Sequence, residues 1–87
     1  MKIKDGFILR EVAGNFIVVA VGEAVKDFNG VINLNETGAL LWRTLSDGAT
    51  EQELVDALLN EYEVSEEIAR RDVKIFIDKL TEAKLIK

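Results

Sequence analysis

The chain contains two pairs of acidic residues, Glu51/Glu53 and Glu61/Glu63. Of all its residues, these come closest to a catalytic acid/base couple. Such a couple needs two carboxyl groups flanking a substrate cleft, whereas acidic side chains on an amphipathic helix usually face solvent. The chain has no histidine, no cysteine and no glycine-rich phosphate loop, so the commonest bases, nucleophiles and metal ligands are missing. We therefore expect no enzymatic activity, no cofactor and no metal site.

The charge distribution argues against a nucleic-acid partner. The net charge is −5, and residues 35–64 hold seven acidic side chains and one basic side chain. A protein that binds nucleic acid needs a basic face to displace counterions from phosphates. This chain offers only a local basic group at Arg70, Arg71 and Lys74.

Length and composition predict one folded domain over residues 1–87. Hydrophobic residues make up 48% of the 87 residues and charged residues 31%, a balance typical of globular domains. The N-terminus lacks the apolar run of a signal peptide, and no apolar stretch approaches the ~18 residues that could span a membrane. We expect a cytoplasmic protein without a membrane partner.

Residues 7–34 are rich in valine, isoleucine and phenylalanine between turn signals, which predicts short strands. The predicted strands are Phe7–Val12, Phe16–Val21 and Val31–Leu34. Gly14-Asn15 and Asn29-Gly30 are the turn signals, and the second is a strong hairpin signal because both of its residues tolerate positive φ. Val25–Phe28 either continues a bent second strand or forms a strand of its own.

From residue 35 onward the apolar period changes from two to 3.6, which predicts three helices. Asn35, Thr50 and Ser65 each precede a helical stretch and are predicted to cap it. Ser46-Asp47-Gly48 would stop the first helix, and Trp42 on its apolar stripe is predicted to anchor the core. The predicted fold is α+β and winged helix-turn-helix-like, with an antiparallel sheet of three to four short strands followed by three helices.

The third helix carries two apolar surfaces. Its main stripe is predicted to face the core and consists of Ala69, Val73, Phe76, Ile77 and Leu80. Ile68 and Ile75 project about 120° away from that stripe, with Arg71, Asp72 and Lys79 beside them. They are the wall of a groove, or the core face is simply wide, or the two isoleucines are exposed singly.

The last strand, Val31–Leu34, has no charge and no proline, so at a sheet edge its shortness alone would discourage pairing with another chain. Beside an apolar helix flank, such an edge suits an extended peptide that adds as a further strand. The edge could also pair with a second copy of the chain, which leaves a monomer and an edge-paired homodimer both open.

A distinctive run, Leu34-Asn35-Glu36-Thr37-Gly38 followed by Leu41-Trp42, resembles the PqqD family, that of pyrroloquinoline quinone biosynthesis protein D. These proteins are also known as RiPP recognition elements, the recognition domains of pathways that modify ribosomally made peptides. Further matching residues are Leu45, Gly48, Thr50, Glu53, Leu54, Asp72, Val73, Phe76 and Leu80, and the resemblance covers roughly residues 7–86.

The resemblance implies a winged helix-turn-helix-like fold that binds the leader of a precursor peptide instead of DNA. Members take the leader as an added strand beside the third helix and present it to a peptide-modifying enzyme, often a radical SAM protein. The implied peptide-binding residues here are Val31, Ile32, Asn33, Leu34, Ile68, Arg71, Asp72, Ile75 and Lys79. Arg71 and Lys79 would favour acidic leaders. Members often carry glycine before the final Leu-Ile, where this chain has Lys84, so the way in which the third helix ends stays open.

A winged-helix DNA-binding transcriptional or architectural protein is the alternative. It is suggested by the helix-turn-helix topology and by the basic group on the third helix. The net charge opposes it, as do Glu66 and Glu67 at the start of the helix that would approach the bases.

Overall fold

The computed structural model contains three strands followed by three α-helices, and it describes residues 1–26, 28 and 30–87. The elements are β1 (Phe7–Val12), β2 (Asn15–Ala20), β3 (Val31–Leu34), α1 (Glu36–Ser46), α2 (Glu51–Glu61) and α3 (Glu66–Glu82). The predicted α+β class, a sheet followed by three helices, is confirmed.

The three strands form one antiparallel sheet in the order β1-β2-β3. Phe7 lies opposite Ala20, and Phe16 lies opposite Leu34. β3 therefore has a neighbouring strand on one side, and we call its other side the open edge. The β1–β2 turn is Ala13-Gly14, one residue earlier than predicted, and both residues have positive φ, as a two-residue turn matching the sheet twist requires.

Val25, Lys26 and Phe28 of the predicted strand Val25–Phe28 do not extend the sheet, and Asp27 lies outside the described residues. Gly22–Lys26 is a short 3₁₀ helix, and the Phe28 amide donates to the Ala24 carbonyl at 3.0 Å. The Phe28 ring meets the Phe7 ring edge-on at 5.4 Å, so the segment folds back onto the start of β1. Asn29 of the predicted Asn29-Gly30 turn lies outside the described residues.

Each of the three helices begins directly after the residue predicted to cap it. The Asn35 side chain accepts from the Gly38 amide at 2.7 Å, and the Ser65 hydroxyl accepts from the Ile68 amide at 3.2 Å. At α2, Thr50 forms the predicted capping box with the residue three positions later. These bonds satisfy amides that have no partner inside the helix, so local sequence alone sets where the helices start.

The core lies between the sheet and the helices. Trp42 is buried as predicted, with 3% of its surface exposed, and β2 and β3 contribute Val18 and Ile32. On α3 the predicted stripe is buried at Ala69, Val73, Phe76 and Leu80, while Ile77 is half-buried. Ile68 and Ile75 are exposed, so the core face of α3 does not extend to them.

α3 ends in a left-handed cap even though the left-handed position is a lysine and not a glycine. Lys84 has φ of 61°, its amide donates to the Thr81 carbonyl at 3.0 Å, and the Leu85 amide donates to the Leu80 carbonyl at 2.9 Å. This bond pair is the Schellman motif, which usually places glycine at the left-handed position. The sharp turn lets Leu85 enter the core.

The two ends of the chain pair with each other, which the sequence analysis did not predict. The Lys4 amide donates to the Leu85 carbonyl at 2.8 Å, and Ile3 lies antiparallel to Ile86. Ile3 is buried, with 6% of its surface exposed. The left-handed cap of α3 is therefore required to direct the C-terminal residues toward residues 2–4.

We predict that Lys84→Gly stabilises the protein by about 0.5–1 kcal/mol, because glycine adopts positive φ without the steric cost that lysine carries. Urea unfolding followed by circular dichroism measures the change. Lys87→Gly is the control outside the cap and should not gain stability. A lower unfolding free energy for Lys84→Gly would contradict the assigned cap.

We also predict that alanine substitutions at Ile32 and Ile75, two of the implied peptide-binding residues, have different effects on the free energy of unfolding. Ile32→Ala should cost about 2–5 kcal/mol of unfolding free energy, because Ile32 is 9% exposed and its removal leaves a cavity. Ile75→Ala should change it by less than about 0.5 kcal/mol, because Ile75 is 59% exposed. Equal losses in urea unfolding would contradict the assigned burial.

Candidate functional site

The backbone of β2 shows which groups of the sheet are paired. The Val21 amide, directly after β2, donates to the Gly6 carbonyl at 2.7 Å, on the side of β1. Because the backbone groups of successive residues in a strand point to alternate sides, odd-numbered residues of β2 face β1 and even-numbered residues face β3. Phe16 and Val18 therefore bond to their partners in β3.

The partners of those even-numbered residues are Leu34 and Ile32. By the same alternation, the amide and carbonyl groups of Val31 and Asn33 point away from β2, along the open edge. The Asn33 carbonyl indeed accepts a hydrogen bond from outside the sheet, from the Lys79 ammonium at 3.1 Å. The open edge thus presents the amide and carbonyl groups of two residues.

A cleft of about 400 Å³ lies beside the open edge, between the end of β3, the start of α1 and one flank of α3. We call it the groove. Its lining residues are Asn33, Leu34, Asn35, Thr37, Gly38, Leu41, Asp72, Ile75, Phe76 and Lys79. The volume falls within the usual range of ligand sites. Four of the lining side chains are apolar and five are polar or charged.

Gly38 lets the first turn of α1 pack closely against the end of β3. A Cβ atom at this position would lie 3.2 Å from the Asn35 side-chain oxygen and 3.3 Å from the Leu34 Cβ, closer than most such contacts. The Gly38 amide also donates to the Asn35 cap. The run from Leu34 to Gly38 therefore forms one corner of the groove.

α3 supplies the opposite wall. Of the five residues predicted on its flank, Asp72, Ile75 and Lys79 line the groove. Ile68, 39% exposed, and Arg71 lie further toward the N-terminus of the helix and outside the lining. The Arg71 guanidinium lies 3.7 Å from the carboxylate of the adjacent Asp72, with both side chains well exposed.

The predicted strand residues have different positions. Asn33 and Leu34 line the groove, whereas the exposed Val31 side chain lies on the opposite face of the sheet from its buried neighbour Ile32. Ile32 has its side chain in the core and its backbone groups directed at β2. It therefore presents neither a side chain nor backbone groups to the groove.

Five lining residues were not among the predicted site residues. They are Asn35, Thr37, Gly38, Leu41 and Phe76. Thr37 and Gly38 belong to the distinctive run after β3, so their spacing carried a usable signal. Leu41 and Phe76 were assigned to the core stripes, and both are buried, with only an edge reaching the groove.

Arg70 on α3 is engaged with two neighbours. The Arg70 guanidinium donates to the Glu66 carboxylate at 3.3 Å and to the Gln52 side-chain oxygen at 2.7 Å. No group of three or more histidine, cysteine or acidic residues within the described part of the chain is placed to hold a metal ion. In the same residues, no helix combines the length and apolar character needed to cross a membrane.

Two solved structures share this fold. TbiB1 in complex with the TbiA(beta) leader peptide matches with a TM-score of 0.78 and 24% identity, over 100% of this chain and 95% of the other. A lasso peptide synthetase B1 complexed with the leader peptide matches with a TM-score of 0.76 and 22% identity, over 99% and 95%. The search of curated protein sequences gave no match.

A comparison with protein-family models gives a match that includes the run from Leu34 to Gly38 at the corner of the groove. The family model of coenzyme PQQ synthesis protein D (PqqD) matches residues 8–86, nearly the whole chain. The matched range spans β3, α1 and α3, which together form the groove. The chain therefore belongs to the PqqD family.

Proposed function

We propose that this chain is a non-catalytic domain that binds the leader of a ribosomally made precursor peptide as a fourth strand along the open edge. The observation that carries the proposal is the position of the outward backbone groups of Val31 and Asn33 directly beside the groove. An extended peptide matches both features, because its backbone can bond to the edge while alternate side chains enter the groove.

The open edge is short, and its length is set by the start of α1. Immediately after β3, the Asn35 carbonyl accepts the Ala39 amide at 2.9 Å, so it is already committed to the helix. Within β3, the residues whose backbone groups face the open edge are Val31 and Asn33. A small number of backbone bonds gives limited net affinity. In this proposal, most of the affinity and all of the sequence preference therefore come from the groove.

The groove suits an apolar side chain with a polar or charged neighbour. Ile75, Leu41 and Phe76 offer apolar surface on two sides, and Ile75 is the most exposed of the three. Removing Ile75 from water on binding would be favourable, and burying large aromatic or aliphatic anchors is what usually dominates peptide affinity. Asp72 and Lys79 add opposite charges at the rim.

Family membership and the two similar structures with leader peptides support this function. We extend the proposal to a partner enzyme. In this proposal the domain holds the leader while a peptide-modifying enzyme, with radical SAM proteins as one class, acts on the remainder of the precursor. The remaining surface of the domain stays available to that enzyme, because the leader occupies only one edge of the sheet.

A DNA-binding role for α3 is not favoured. Arg70 is bonded to Glu66 and Gln52, and Arg71 lies beside Asp72. Each guanidinium therefore already has an acidic neighbour. Glu66 and Glu67 occupy the first turn of α3, where they would face the phosphates.

We predict that Ile75→Asp weakens binding of the leader at least tenfold, because a carboxylate replaces the most exposed apolar wall of the groove. The probe is a labelled peptide covering the leader of the precursor encoded beside this gene, titrated by fluorescence anisotropy. Val12→Asp is the matched control, since Val12 is 54% exposed and lies at the end of β1, across the sheet from the open edge.

Circular dichroism should show that both variants stay folded. Wild-type and Val12→Asp proteins should bind alike. A leader that binds the Ile75→Asp variant as tightly as wild type would contradict the groove, and a leader that binds none of the three proteins would contradict the proposed function.

A further inference from the structure

Lys79 already occupies part of the surface that an incoming strand needs. Its ammonium donates to the Asn33 carbonyl at 3.1 Å, a bond between residues 46 positions apart. That carbonyl is one of two on the open edge, and an added strand would have to donate an amide to it. Lys79 therefore competes with an incoming strand for this carbonyl.

We propose that Lys79 guards the open edge: it prevents pairing with a second copy of this chain and gives way to a peptide that supplies a carboxylate to the displaced ammonium. β3 itself has no charge or proline to discourage pairing. Lysine is a common means of protecting edge strands, and here the lysine comes from α3, across the groove. The second half of this proposal rests on the proposed function, whereas the first half does not.

A second copy of the chain would offer Lys79 no new partner in place of the Asn33 carbonyl. Its own β3 contains no acidic residue, so it offers the displaced ammonium nothing in return. In a two-fold pair of β3 strands, each copy would bring its own Lys79 to the seam. The two ammonium groups would have to leave their carbonyls together, close to each other and with the same charge.

A peptide with an aspartate or glutamate near its pairing residues behaves differently. Lys79 lies on the rim of the groove, so the displaced ammonium stays beside the bound peptide. A carboxylate there replaces a neutral acceptor, the Asn33 carbonyl, with a charged one, and charge-assisted hydrogen bonds are the stronger kind. The Lys79 ammonium therefore exchanges the Asn33 carbonyl for a leader carboxylate, which selects for an acidic residue in the leader.

Sedimentation velocity over a range of protein concentrations tests the first half without any peptide. Lys79→Met keeps the aliphatic stem and removes the ammonium, and Lys74→Met removes the same charge from an exposed position of the same helix. We expect wild-type and Lys74→Met proteins to sediment as monomers and Lys79→Met to dimerise at least tenfold more tightly. Identical sedimentation of all three proteins would overturn the guard against self-pairing.

Leader titration tests the second half, at protein concentrations below the onset of dimerisation. Each acidic residue of the leader is changed in turn to its amide. For one position, we expect wild-type and Lys74→Met proteins to lose at least fivefold in affinity, and Lys79→Met to lose less than twofold.

The outcomes separate the two proposals. If the leader binds but Lys79→Met retains the full preference for the carboxylate, the selection by Lys79 is wrong and the proposed function stands. If no leader binds wild-type protein, the proposed function and the selection fail together, and sedimentation alone decides whether Lys79 guards the edge.

Discussion

The hydrogen bond from the Gly38 amide to the Asn35 side chain, 2.7 Å long, is the constraint on which the rest of the site depends. It makes β3 end and α1 begin at one residue, with no loop between them. Because the helix starts there, the open edge ends after Asn33 on the side of α1. Because Gly38 has no side chain, the first turn of α1 can approach Leu34 and close one end of the groove.

In the proposed function, this geometry divides the work of recognition between two surfaces. The edge would provide a few backbone bonds that any extended chain can make, including a second copy of this protein. The groove would provide the discrimination, through Ile75 on α3 and through Lys79, whose ammonium bonds to one of the edge carbonyls. Under both proposals, a short edge with its own guard would bind weakly to chains in general and leave specificity to the side chains that enter the groove.

Much of this could be predicted from the sequence, because it depends on local chemistry. Asn35, Thr50 and Ser65 mark the helix starts through bonds to residues three positions later, and the 3.6-residue period of α3 separates Ile75 from the core stripe. The features that escaped prediction depend on distant contacts. Val25 joins a 3₁₀ helix because the segment packs on the start of β1, and Lys84 adopts positive φ because the two chain ends pair.

The central claim, that a leader adds as a strand to β3, is tested most directly by amide hydrogen exchange measured by NMR with and without the leader. In the free protein, the Ile32 and Leu34 amides should exchange slowly because they bond to β2, whereas the Val31 and Asn33 amides should exchange fast. Saturation with leader should slow exchange at Val31 and Asn33 at least tenfold. Unchanged exchange at these two amides, with protection appearing elsewhere, would contradict the account.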